Sequence, residues 1–191
     1  MIRPWIQRAK DASSNLHNGE GIFDAYTALL TVMWREDWTG ACHDSSAVLY
    51  MLLSELGYSP ALVTGEVKAA AGIFDHSWVE VDGKIYDVAV GFPGEDGHYV
   101  GPSVFASLNL DTGIPTELTF GVRSPGGIDD IGRFVAGATL NEYSEIQHPH
   151  VSIWALTPVV GRLCGLSLSS EDLRWKYGEV TRELRGQDAP Q

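Results

Sequence analysis

The spacing of apolar residues predicts two consecutive helices in the first third of the chain. Over residues 20–36 the apolar positions recur at helical intervals, at Ile22, Phe23, Tyr26, Leu29, Leu30 and Met33. After a loop at 37–41, a second helical face runs through Cys42, Ser46, Leu49, Leu53 and Leu56, widened by Val48 and Leu52. Thr39 or Gly40 is expected to cap this helix, and Gly57 to follow its last turn. Cys42 is therefore predicted in the first turn of a buried helix.

After residue 60 the apolar period changes from that of a helix to that of a strand. Strands are predicted over 60–67, 76–81 and 84–90, and Asp82-Gly83 predicts a two-residue hairpin turn between the last two. The Gly- and Pro-rich residues 91–127 predict a long irregular segment.

The rest of the chain has a mixed pattern. It predicts a short helix over 129–138, a strand over 151–160 and a C-terminal helix over about 170–185, capped by Ser169 or Ser170 and closed by Gly186. A helical front half, a central antiparallel sheet and a mixed tail predict an α+β fold. We expect one domain over 1–191, with its core over about 20–160.

The predicted turn determines which side chains share a face of the hairpin. With Asp82 and Gly83 in the loop, Trp78 faces Asp87, and one face carries His76, Trp78, Glu80, Ile85 and Asp87. His76 and Asp87 are then diagonal neighbours, roughly 7–8 Å apart between backbones and within reach through their side chains. Taken singly, His76 is an ordinary strand residue and Asp87 an ordinary turn or edge residue. Together, the aspartate can accept from one imidazole nitrogen and leave the other for a thiol.

Cys42 is a candidate nucleophile because of its place on the helix. A free thiol has a pKa of about 8.5, so little of it is thiolate at neutral pH. The unpaired amides and the dipole of a helix start favour the anion, and a nearby imidazolium favours it further. The alternative is a small apolar residue that begins the buried face. The shared face of His76 and Asp87 favours a cysteine nucleophile with its base and its orienting acid.

Several segments together resemble the core of the transglutaminase-like superfamily: Gly40-Ala-Cys42, 52–58 with 61–66, 76–83, and Tyr86-Asp87. The resemblance covers about 38–90. It implies a papain-like fold, in which the helix carrying Cys42 packs on a central antiparallel sheet carrying His76 and Asp87. It also implies Cys42 as nucleophile, His76 as base and Asp87 as orienting acid. The segment 87–92 resembles arylamine N-acetyltransferases, which share this fold.

The residues and the resemblance predict a cofactor-free enzyme that cleaves or transfers an acyl group through a thioester on Cys42. The expected substrate is a peptide or a small amide or acyl compound, and hydrolysis by a cysteine peptidase or amidase is the leading interpretation. One alternative is an acyltransferase, of arylamine N-acetyltransferase or transglutaminase type, in which an amine replaces water. Another is a binding or structural protein that keeps the fold without turnover.

Acyl transfer also needs hydrogen-bond donors for the oxyanion. The Cys42 amide at the helix start is the natural first donor, and the indole of Trp38 or Trp34 is a candidate second donor. For each indole the alternative is core packing, because an indole buries a large area. Trp78 shares the face of His76 and is expected in the wall of the site, beside the imidazole.

Composition limits the expected partners. The chain has 25 acidic and 13 basic residues and a net charge of −12, so we expect no binding of nucleic acid or of an anionic membrane through a basic surface. The two cysteines form no disulfide framework and no metal-type spacing. Neither a signal peptide nor an apolar run of about 18 residues is present in the sequence, so a cytoplasmic location is expected. The sequence does not indicate the oligomeric state.

Three weaker signals receive the plainer interpretation. His148 and His150 suggest a metal pair, joined by His98, but no third ligand is convincingly spaced, so a loop is favoured and no metal is expected. His43 and Asp44 are expected to point away from Cys42, with Asp44 in solvent. Cys164, in an apolar context, is expected to be inert core.

Overall fold

A computed structural model describes residues 2–94, 97–146 and 152–186. Within these ranges the helices are α1 (Arg3–Ser13), α2 (Gly19–Arg35), α3 (Cys42–Glu55), α4 (Asp130–Gly137), α5 (Leu140–Ile146), α6 (Ile153–Leu163) and α7 (Ser170–Tyr177). The strands are β1 (Ala61–Ala69), β2 (Gly72–Val81), β3 (Lys84–Tyr86), β4 (Val104–Phe105), β5 (Leu108–Asn109), β6 (Thr119–Val122) and β7 (Glu183–Arg185). The mixture of helices and strands is compatible with an α+β transglutaminase-like fold.

The two helices predicted from apolar spacing, α2 and α3, are confirmed. Each buries the predicted face, and Leu49, Leu52 and Leu53 of α3 are almost inaccessible to solvent. Burial of a leucine side chain contributes about 1.5–3 kcal/mol, so this face alone fixes the position of α3. Gly57 follows the helix with a φ of +86°, the left-handed conformation that glycine adopts at little cost.

The main sheet has the order β3-β2-β1-β6, with all neighbouring strands antiparallel. The second edge of β1 is shared: β6 pairs with its later residues, and β7 pairs in parallel with Val63, Thr64 and Gly65. The central antiparallel sheet is thus confirmed along this order, and β7 adds one parallel neighbour to β1. That pairing brings the C-terminal part of the chain against the strand next to β2.

The hairpin of β2 and β3 has the predicted turn and register. Asp82 and Gly83 both have positive φ, 50° and 70°, as a two-residue turn between twisted strands requires. Glu80 pairs with Ile85 across the hairpin. The third strand is shorter than predicted, because after Tyr86 the backbone of Asp87 pairs with Val104 instead.

The C-terminal part of the chain departs most from prediction. The strand expected over 151–160 is the helix α6 from Ile153, and the last helix, α7, ends at Tyr177 instead of near 185. Pro158 lies inside α6 and cannot donate to the carbonyl of Trp154, four residues back. The Ser170 hydroxyl donates to that carbonyl instead, at 2.7 Å. The helix therefore tolerates its proline because α7 satisfies the freed acceptor.

Two apolar clusters lie on opposite faces of the sheet. The larger one joins the helices to Leu62, Val79 and Val81. The smaller one joins Val63, Val67 and Trp78, the alternate residues of the same strands. In the described ranges, no helix is long and apolar enough to cross a membrane.

Candidate active site

Cys42 is the first residue of α3, as predicted, but neither Thr39 nor Gly40 caps the helix. The capping position is held by Ala41, whose side chain cannot accept a hydrogen bond. The Gly40 amide donates to the carbonyl of Pro93 at 3.0 Å. This bond connects the loop before α3 to the segment after β3. Because no side chain caps the helix start, its amides remain available to stabilise negative charge beside the thiol.

His76 and Asp87 form a buried pair. The imidazole Nε2 lies 2.7 Å from Asp87 Oδ2, and the two side chains are 6% and 2% exposed. The second carboxylate oxygen accepts from the Val90 amide at 3.1 Å. The Asp87 carbonyl accepts from the hydroxyl of Tyr26 on α2 at 3.1 Å. The Asp87 carboxylate is thus bound through one oxygen to His76 and through the other to the Val90 amide. Nδ1 of His76 is the ring nitrogen left for another partner.

The thiol of Cys42 is shifted toward its ionised form. Burial raises its pKa, but the charges of the His43 and His76 imidazoles, and hydrogen bonding to them, outweigh burial, so that the pKa lies well below its ordinary value. For His76, burial lowers the pKa, whereas Asp87 and Cys42 raise it more, to about 10. Both shifts favour a thiolate paired with an imidazolium at neutral pH.

Cys42 and His76 line one cavity of about 480 Å³. Its lining includes the apolar side chains of Phe74, Val90, Phe92 and Val100. Two carboxylates, Asp75 and Asp129, line it as well, and Oδ2 of Asp75 accepts from the Asp129 amide at 2.8 Å. Burial and the nearby Asp129 raise the pKa of Asp75. The reacting groups therefore adjoin a space lined by apolar side chains, two carboxylates and the imidazole of His98.

The three tryptophans expected at the site are not among the described residues that line the cavity. Trp34 is 49% exposed near the end of α2, and Trp38 packs against the main core. Trp78 is 1% exposed in the smaller apolar cluster, where its indole donates to Glu80 at 2.9 Å. In the described part of the chain the cavity lining includes Phe74, two residues before His76, and none of these indoles. The roles of Trp38 and Trp34 as oxyanion donors and of Trp78 as a wall of the site therefore stay predictions.

His43 is the residue that sequence reasoning missed. The helix position predicts that it points away from Cys42, whereas the charge of its imidazole, and hydrogen bonding to it, lower the pKa of the thiol. Its Nδ1 lies 2.8 Å from the hydroxyl of Ser77 on β2, and its ring packs edge-on against Tyr143 of α5. Asp44, expected in solvent, is half-buried and accepts from the Tyr143 hydroxyl at 2.5 Å. Helical spacing carries no signal for these contacts, because their partners come from distant segments.

The remaining candidate groups are the possible metal ligands and the second thiol. Within the residues described, no group of three His, Cys, Asp or Glu side chains could hold a metal ion. His148 and His150 lie outside the described residues. Cys164 ends α6 half-buried, and burial raises its pKa.

Comparison with known proteins gives one match. No curated protein and no solved structure matches the chain. The family model of the transglutaminase-like superfamily matches residues 4–99, half of the chain, and this range contains Cys42, His76 and Asp87. Together with the helix that carries the cysteine and the hairpin that carries the histidine, this match shows that the chain belongs to the transglutaminase-like superfamily.

Proposed function

We propose that the protein is a cysteine-dependent enzyme that cleaves an amide or peptide bond, or transfers its acyl group, through a thioester on Cys42. The observation that carries the proposal is the buried His76–Asp87 pair at 2.7 Å, whose histidine lines the same cavity as Cys42, a thiol with a lowered pKa. Family membership supports this reaction class. A structural role alone does not require a buried histidine–carboxylate pair beside a thiol of lowered pKa, since charged groups are costly to bury.

The first half of the proposed reaction forms the thioester. The Cys42 thiolate attacks the carbonyl carbon, so that a C–S bond forms and the carbonyl electron pair moves to oxygen. The Cys42 amide at the start of α3 is the proposed first donor to that oxyanion. When the C–N bond breaks, the leaving nitrogen takes a proton from Nδ1 of His76, because Nε2 is held by Asp87.

The second half releases the acyl group. His76 accepts a proton from the incoming nucleophile, which attacks the thioester carbonyl and expels the thiolate. With water the product is a carboxylic acid, and the enzyme is a peptidase or amidase. With an amine the product is a new amide, and the enzyme is an acyltransferase. Asp75 and Asp129 disfavour an anionic group in the cavity, so a neutral or cationic amide is the better substrate candidate.

Acylation by p-nitrophenyl acetate, followed by peptide mass spectrometry, tests the proposal. We expect one acetyl group on the peptide containing Cys42, rapid release of nitrophenolate, and no adduct in Cys42→Ala. The matched variant Cys164→Ala should acylate at the rate of the unmodified protein. Acetylation of both thiols at similar rates, or of neither, would contradict an enzyme and favour a binding protein. If the acetyl group leaves Cys42 only when an amine is added, the enzyme is a transferase and not a hydrolase.

A further inference from the structure

The N-terminal turn of α3 is surrounded by polar groups that the proposed reaction does not use. They come from three separate parts of the chain: Thr64 and Ser77 on β1 and β2, Tyr143 on α5, and Arg182 just before β7. Two of these, Tyr143 and Arg182, lie outside the range matched by the family model. All of them converge on His43, directly or through its neighbours.

Two buried hydroxyl groups hold one edge of the His43 ring. Nδ1 lies 2.8 Å from Ser77 Oγ, and Ser77 Oγ is in turn hydrogen-bonded to Thr64 Oγ1. Thr64 and Ser77 are essentially inaccessible to solvent. A buried hydroxyl left without a partner costs about 1–3 kcal/mol. Breaking the series of hydrogen bonds from His43 through Ser77 to Thr64 would therefore be costly.

The opposite side of the turn is held by a buried cation. The guanidinium of Arg182 donates to the His43 carbonyl at 3.1 Å and to the Val135 carbonyl at 3.4 Å. It also stacks on the Tyr143 ring at 4.5 Å, and that ring packs against the His43 imidazole. Both the backbone and the ring of His43 are therefore fixed by residues of the C-terminal half.

We propose that His43 is a second catalytic imidazole, which donates a hydrogen bond from Nε2–H to the sulfur of Cys42. The direction follows from the chemistry of the partners. A thiolate can only accept, so the ring nitrogen that faces it must carry hydrogen. Nδ1 is occupied by Ser77, which leaves Nε2 for the sulfur.

In this proposal, which rests on the proposed function, the two imidazoles have different roles. His76, paired with Asp87, exchanges the proton with the leaving group and with the incoming nucleophile. His43 moves no proton and stabilises the thiolate, both before attack and when the sulfur is expelled. Tyr143 and Arg182 are positioning residues for His43.

Nitrogen-15 NMR of the histidine rings tests the assignment in the full-length protein. We expect a proton on Nε2 of His43. A ring protonated on Nδ1 alone would overturn the proposal, because Nε2 could then only accept. A role in folding alone does not predict which nitrogen carries the proton.

Alkylation of Cys42 by iodoacetamide at about pH 6 gives a second readout that needs no substrate. Hydrogen bonds to charged groups predict a rate about 10- to 100-fold lower in His43→Ala, with much of the loss recovered in His43→Gln, whose amide retains a donor. Ser77→Ala should lower the rate by a smaller factor. Ser54→Ala is the matched control, because this hydroxyl of the same helix donates to the Tyr50 carbonyl and not to His43.

The two proposals fail in different ways. An unchanged alkylation rate in His43→Ala, with Cys42 of the unmodified protein still reactive at pH 6, would overturn the role of His43 alone. A Cys42 of the unmodified protein that reacts no faster than Cys164 would overturn the proposed function as well. Circular dichroism on each variant separates these results from a loss of folding.

Discussion

The two cysteines of this chain lie at opposite ends of helices. Cys42 begins α3, where amides point toward the thiol, whereas Cys164 follows the last residue of α6, where its sulfur lies 3.3 Å from the Gly161 carbonyl. Both side chains are partly buried, and burial raises the pKa of each thiol. At Cys164 the net pKa stays raised, and the charge of Asp24 contributes to this. At Cys42 two imidazoles reverse the direction.

Burial and helix position alone do not make a thiol reactive. A helix start contributes about 0.3–1 kcal/mol to a nearby anion, less than one pKa unit. The larger difference comes from the side chains brought to Cys42 by distant segments, His76 from β2 and His43 through its contacts with Ser77 and Tyr143. Substitution of those side chains should therefore raise the pKa of Cys42 toward that of Cys164 and lower its reactivity.

The largest effect is expected for His76→Gln. This change removes one of the two imidazolium charges that favour the thiolate, and a neutral glutamine cannot replace that charge. We expect the rate of acylation of Cys42 to fall by at least about 10⁴-fold, comparable with loss of a central catalytic group. Stopped-flow release of nitrophenolate measures it. An acylation rate within tenfold of the unmodified protein would show that His76 is not the base.

Asp87→Asn is expected to have the next largest effect. The asparagine oxygen can still accept from the Val90 amide, so the turn is retained, but the charge that holds the imidazolium is lost. Loss of an orienting aspartate in serine proteases lowers the rate by about 10⁴, and we expect a fall of about 10²- to 10⁴-fold here. Asp87→Ala should in addition lower the free energy of unfolding by about 1–3 kcal/mol, because it strands a buried amide. Equal stability of the two variants in urea denaturation would contradict this.

The shifted pKa values of His76 and Cys42 should make the free energy of unfolding depend on pH. The His76 pKa is raised to about 10, so its contribution to stability is complete below about pH 6.5 and is lost as the pH rises through about 10. The Cys42 pKa is lowered, so its contribution is complete above about pH 8.5 and is lost as the pH falls through the folded value. Between about pH 6.5 and 8.5 the two slopes cancel.

The measurement is the difference in unfolding free energy between the unmodified protein and the double variant Cys42→Ala/His76→Gln. We expect a plateau near neutral pH, with the difference shrinking both above about pH 9 and below about pH 6. A difference that stays constant from about pH 5 to 11 would show that the thiolate–imidazolium pair does not form. Cys164→Ala, measured over the same range, should show no such profile.

The smallest effect is expected for Trp34→Ala, which should leave the contrast between the thiols intact. The indole is half exposed and is not part of the cavity lining in the described chain. We expect an acylation rate within about twofold of the unmodified protein and a stability change within about 0.5 kcal/mol, as for other exposed sites. A loss of more than tenfold in acylation, with normal folding, would restore this indole as an oxyanion donor.

Local signals account for the parts of the fold that the sequence predicts. The helical spacing that begins at Cys42 and the turn at Asp82-Gly83 each depend on a few adjacent residues, and both are confirmed. The same turn placed His76 and Asp87 on one face, and the structure brings them to 2.7 Å. Their catalytic roles remain a proposal.

Long-range contacts account for what the sequence does not predict. An apolar, β-branched run such as 153–160 fits a strand or a buried helix equally well, and only packing against α2 and α3 decides for α6. The parallel pairing of β7 with β1 joins residues more than a hundred positions apart. His43 is placed by Ser77, Tyr143 and Arg182, so no pattern around Cys42 reveals its effect on the pKa of the thiol.

A catalytic thiolate at Cys42 can be detected by alkylating Cys42 and Cys164 as a function of pH and following both thiols by mass spectrometry in one sample. Exposure sets the plateau rate of each thiol, whereas its pKa sets the midpoint, so the two influences separate. We predict a midpoint below about 7.5 for Cys42, the upper edge for activated cysteines, and above about 8.5 for Cys164. A Cys42 midpoint at or above about 8.5, unchanged in His76→Ala, would contradict a catalytic thiolate.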